Sequence, residues 1–96
     1  MDKEYVLNLI QANRDRFDEF AVETLFLFGS VARNEATPES DVDFLVEFNQ
    51  PVGLFNLLGL KAFLEDLLGC SVDLGTPNSL RAHLKEQVLK EAIRAI

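Results

Sequence analysis

The chain has 96 residues, 48% hydrophobic and 26% charged, with a formal net charge of -7. That length suits one domain, residues 1–96, with a single core. The acidic balance argues against direct contact with nucleic acid, whose phosphates need basic patches, and no apolar run approaches the ~18–20 residues that cross a bilayer.

The opening, MDKEYVLNLI, has no signal-peptide layout, so a cytoplasmic protein is expected. Residues 2–20 read as one helix with Val6, Leu9, Ile10, Phe17 and Phe20 near one face and Asp2 as its cap. TLFLF at 24–28 is too short for a helix and too apolar for an exposed edge, so it reads as a buried strand. Gly29-Ser30 ends it, and residues 31–35 suit a short helical turn. TPES adds turn chemistry, and VDFLVEF at 42–48 is the second strand.

Leu54 to Leu68 is expected to be a long helix. Leu57, Leu58, Leu60, Phe63, Leu64, Leu67 and Leu68 should face inward, Lys61, Glu65 and Asp66 outward, and Gly69 should cap its C-terminus. The lone cysteine, Cys70, has no partner for an internal disulfide and reads as a small buried apolar residue in a reducing compartment. SVDL at 71–74 is the third strand. Thr76-Pro77 opens the last helix, with Leu80, Leu84, Val88, Ala92 and Ile96 as its stripe and His83 on its polar side. The order α-β-turn-β-α-β-α gives an α/β (α+β) fold, a three-stranded mixed sheet with helices packed on it.

Alternation sends Asp41 and Asp43 to the same face at the head of the second strand. If the second and third strands pair, Asp73 lies beside them. Two unit charges ~5 Å apart repel by about 3 kcal/mol at an effective dielectric near 20. A trio of acids therefore favours taking up protons or a cation, and carboxylates at strand ends suit Mg²⁺. Gly29 lets backbone approach a phosphate, Ser30 offers a hydroxyl and an N–H, and Arg33 offers a bidentate donor. Taken singly, Gly-Ser after a strand is an ordinary turn and Asp-x-Asp an ordinary solvated edge. The weight lies in their order: strand, Gly-Ser, spacer, Asp-x-Asp on a strand, helix, then Asp on another strand.

GSVARNEATPESDVDFLVEF resembles the signature of the nucleotidyltransferases of the DNA polymerase β superfamily, and among them the minimal nucleotidyltransferases. Gly29, Ser30, Ala32, Arg33, Ala36, Ser40, Asp41, Asp43, Leu45 and Val46 carry the match, and VDLGTPNSL resembles the family's third-carboxylate segment. Asn34 stands where the family commonly has Gly; Asn is tolerant of positive φ, so the turn should survive. The resemblance implies ATP as substrate and one or two Mg²⁺ ions on Asp41, Asp43 and Asp73. It implies nucleotide contacts from Gly29, Ser30, Arg33 and Ser40. It also implies pairing with a HEPN RNase toxin, to a tyrosine of which the small enzyme transfers AMP as antitoxin. The alternatives are an antitoxin that works by binding alone and transfer to a small molecule such as an aminoglycoside. A chain this short lacks the extra domain that the last would need.

Overall fold

The computed structural model describes residues 2–35, 41–76, 86 and 90–96. Asp2 caps the first helix, α1 (Lys3–Ala12), by accepting from the Tyr5 N–H at 2.8 Å. The expected single helix over 2–20 is in fact two. Asn13 leaves helical geometry at φ -116° and ψ 20°, its side-chain amide donating back to the Leu9 carbonyl, and α2 (Arg14–Asp18) starts afresh. Asparagine competes for backbone partners in this way, which is why it breaks helices that apolar spacing alone would continue.

Strand β1 (Val22–Phe28) runs into the short helix α3 (Gly29–Ala32), so the helical turn begins at Gly29 rather than at residue 31. Strand β2 (Val42–Phe48) and helix α4 (Leu54–Leu68) have the expected bounds. Gly69 closes α4 in the left-handed region at φ 70°. Strand β3 (Val72–Gly75) lies one residue later than expected, and a fourth strand, β4 (Ile93–Arg94), completes the sheet.

The sheet is therefore four-stranded, in the order β3-β2-β1-β4, with β2 antiparallel to β1, parallel to β3, and β4 antiparallel to β1. This corrects the three-stranded expectation and the helical placing of Ala92 and Ile96. Glu86, Lys90 and Glu91 are helical, but Ile93 pairs with Leu27 and Arg94 with Phe26. The rest of the expected last helix, His83 included, lies outside the described residues. The apolar β1 needs a hydrogen-bonding neighbour on its second edge, and the chain end supplies it. Ile93-Arg94-Ala95 also alternates with period two, a signal hidden inside the helical stripe.

One face of the sheet carries the core. Leu25 and Leu27 of β1, Val42, Phe44 and Val46 of β2, and Val72 of β3 are buried together with Val6 and Ile10 of α1, Phe17 of α2 and Leu60, Leu64 and Leu68 of α4. Phe63 sits edge-on to Phe17 at 5.2 Å and stacks with Phe20 at 5.6 Å, and the Asn56 amide donates to the Phe20 carbonyl at 2.8 Å. These contacts fix α4 against the loop entering β1. Leu58, expected inside, is exposed, because α4 is apolar on more sides than the sheet can cover. Phe26 and Phe28 alternate onto the other face and are half-buried, while Cys70 is half-buried rather than buried.

Deleting residues 93–96 removes the hydrogen bonds by which Ala95 and Ile96 donate to the Leu25 carbonyl and Leu25 donates to Ile96. At about 1 kcal/mol per bond, a loss of roughly 2–3 kcal/mol is expected, read as a lower urea midpoint. An unchanged midpoint would assign this segment to a dispensable tail.

Candidate functional site

Sheet register assembles the acidic site. Asp43 stands opposite Phe28 across the antiparallel pair and beside Asp73 across the parallel pair. Asp41 lies two residues before Asp43, on the same face by alternation. The Val42 N–H donates to the Ser71 carbonyl at 3.0 Å, which locks the heads of β2 and β3 in step. Glu65, expected to point outward, instead reaches from α4 to accept from the Val72 N–H at 3.2 Å, next to Asp73. No local pattern marks this contact, which joins residues brought close by the turn at Gly69.

Burial pushes the Asp43 carboxyl above its ordinary value of 3.8; the charges of Asp73 and Asp41 push it the same way, and Arg33 opposes them. Asp41 and Asp73 are exposed and Asp43 half-buried. The three acids thus share one face and one field. Among the described residues, however, no three acid, His or Cys side chains stand close enough to form a ready-made metal cage. The donor set nevertheless fits Mg²⁺, which takes hard oxygen ligands and is commonly held by one or two carboxylates plus substrate phosphates.

Gly29 is required twice. Its φ is +75°, and a Cβ there would overlap the Asp43 Oδ2. The backbone at the start of α3 therefore packs directly against the central carboxylate. The Gly29 carbonyl accepts from the Arg33 N–H at 3.2 Å and the Ser30 carbonyl from the Glu35 N–H at 2.8 Å. Asn34 adopts φ 57°, as its tolerance suggested, and its side-chain oxygen accepts from the Lys3 N–H at 3.1 Å. Glycine could not make that tie between the turn and α1. Arg33 pairs with Glu35 at 3.0 Å and Glu91 at 3.3 Å, and its hydrogen bond to Glu35 holds the guanidinium above its usual value. In this arrangement Arg33 joins the turn to the C-terminal segment. Ser40 lies outside the described residues. A separate groove of about 460 Å³ opens at the other end of β2, between Glu47, Pro51, Leu54 and Thr76.

Residues 7–95 match the family described as the nucleotidyltransferase domain. The chain is 36% identical over 91 residues to the protein adenylyltransferase MntA of Thermococcus cleftensis, covering 94% of this chain and 92% of that protein. It is 46% identical over 72 residues to a candidate protein adenylyltransferase of Methanocaldococcus jannaschii, covering 75% of this chain and 77% of the relative. The solved structure of a candidate minimal nucleotidyltransferase superposes with a TM-score of 0.84 at 40% identity, over 97% of this chain and 95% of that one. A chain of a toxin–antitoxin crystal structure with AMP-PNP follows at a TM-score of 0.70 and 21% identity, over 100% of this chain and 73% of that one. A chain from the complex of a tri-AMPylated Shewanella oneidensis HEPN toxin with an MNT antitoxin gives 0.59 at 21% identity, over 90% and 71%. At that identity the last two speak to the fold.

Two outcomes follow from the geometry. Because folding raises the Asp43 pKa, its contribution to stability is fully present below the unfolded value and is lost as pH rises through the folded one. Without divalent cations, Asp43→Asn should therefore raise Tm at pH 7, and the gain should vanish below about pH 3.8. A Tm equal to wild type at pH 7 would mean that neither burial nor the neighbouring acids disfavour the Asp43 charge. Gly29→Ala should cost about 1–2 kcal/mol from left-handed backbone alone, plus a further loss from the overlap with Asp43. Urea unfolding of the single and double variants should show that further loss shrinking in an Asp43→Ala background.

Proposed function

The chain belongs to the nucleotidyltransferase domain family, and on that premise we propose that it transfers AMP from ATP to a tyrosine hydroxyl of a HEPN-type RNase and so acts as its antitoxin. The observation that carries this reading is the register of β2. It sets Asp43 beside Asp73 and directly behind the backbone of Gly29, so the acidic strands and the Gly-Ser turn meet at one point. The names and complexes of the relatives support the choice of ATP, of a protein acceptor and of a HEPN partner.

In the reaction, the acceptor oxygen attacks the α-phosphorus of ATP. The new O–P bond forms as the bond to pyrophosphate breaks, and the tyrosine proton leaves for a base. Asp41 and Asp43 would hold Mg²⁺, which when bound neutralises the triphosphate and stabilises the attacking and leaving oxygens. Gly29 and Ser30 hold the β- and γ-phosphates through their backbone N–H groups, and Ser30 adds its hydroxyl. Asp73 faces the acceptor side and accepts the proton, or helps bind a second ion. A tyrosine of pKa ~10 costs about 4 kcal/mol to ionise at pH 7, so a carboxylate base beside a cation lowers a real barrier. Ser40 completes the nucleotide contacts in this reading. Arg33 supports the turn through Glu35 and Glu91, and any direct phosphate contact would require it to exchange those partners.

The test is intact mass spectrometry of a HEPN-type RNase offered as the acceptor, after incubation with the chain, ATP and Mg²⁺. Mass should rise in steps of one AMP and should not rise with the Asp41→Asn, Asp43→Asn variant. A stable complex that gains no mass would instead identify an antitoxin that acts by binding.

A further inference from the structure

Three large apolar side chains stand exposed in the first turns of α4: Phe55 is 89% accessible, Leu54 67% and Leu58 49%. Apolar groups clustered so openly mark contact surfaces more often than bare surface. They are not on a featureless face. Leu54 also lines the groove of about 460 Å³, whose floor comes from the end of β2 and whose rim includes Pro51 and Thr76.

Two measures tie this groove to the acidic site. Among the described residues Glu47 is the only charged one in its lining, and it alternates onto the same face of β2 as Asp41 and Asp43. Four residues of strand separate it from Asp43, about 13 Å. Thr76 follows Asp73 by three residues, about 10 Å along the chain at strand spacing. A protein contact of ordinary size, about 800 Å² on each side, spans both.

Charge selects the occupant. The chain carries -7, so a second copy would bring the same acidic field against itself. An anionic membrane surface is disfavoured for the same reason. A protein with an apolar anchor beside a basic side chain satisfies both the groove and the helix start at its rim, the anchor meeting Leu54 of the groove with Phe55 and Leu58 beside it and the cation meeting Glu47. We propose that this groove is where the acceptor protein docks, through an apolar side chain flanked by a lysine or arginine, so that its hydroxyl reaches the aspartates from the β3 side. This rests on the reading of the chain as a protein-modifying transferase and adds to it a surface and the chemistry of what that surface holds.

The test uses the intact chain with the same HEPN-type RNase as acceptor, comparing wild type with a Phe55→Ser, Leu58→Ser variant and with Glu47→Lys. None of these positions is in the catalytic machinery. For both variants the acceptor concentration giving half-maximal AMP transfer should rise about tenfold or more, while the affinity for a fluorescent ATP analogue stays at the wild-type value. Unchanged transfer by both variants overturns the proposal. So does a change confined to self-association in sedimentation, which would make the surface an interface between copies. If wild type binds the RNase but transfers nothing, the catalytic reading fails separately, and the same tenfold weakening is then sought in the binding affinity. If wild type neither binds nor modifies the RNase, both readings fall.

Discussion

The site depends on β2 being paired on both edges at once. Its antiparallel bond to β1 carries Asp43 to the place where the chain leaves β1 and turns at Gly29. Its parallel bond to β3 carries Asp73 alongside. Neither pairing alone assembles the group. Because a shift of one residue would send every side chain to the opposite face, the buried row Val42, Phe44 and Val46 is what holds the acids outward. The core thereby fixes the chemistry.

The arrangement works against stability. Asp43 is half-buried beside two other acids, and its carboxyl is pushed toward the neutral form. The adjoining turn contains two left-handed residues, Gly29 and Asn34. Like charges crowded together, with no return in packing, are characteristic of sites kept for function. The surroundings hold the turn in place. Asn34 is tied to α1 through Lys3, Arg33 is clamped between Glu35 and Glu91, and Glu65 secures the head of β3.

The opposite face of the sheet shows how a small domain divides its apolar residues. α1, α2 and α4 close one side with Phe17, Phe20 and Phe63 as a cluster of rings. α4 has more apolar side chains than that side can bury, and Phe55 and Leu58 are left in solvent at its start. A helix apolar on several sides is suited to contact two things, here the sheet and whatever lies beyond it.

Local chemistry determined much of this protein by itself. Strand β2 and helix α4 are bounded as their apolar patterns and the glycine cap dictate, Asp2 caps α1, and Asn34 takes the left-handed conformation its side chain tolerates. The spacing of Gly29, Ser30, Asp41 and Asp43 marked the candidate site, because strand alternation is a local rule. Contacts between distant residues needed the folded chain. Asn13 broke a helix whose stripe looked continuous, and the chain end became β4 because β1 had an open edge that no local pattern reveals. Glu65 turned inward to an N–H that only the packing of β3 brings within reach. The direct contact of Gly29 with Asp43 was likewise decided in three dimensions, since strand pairing fixes which residues across the sheet must share the same space.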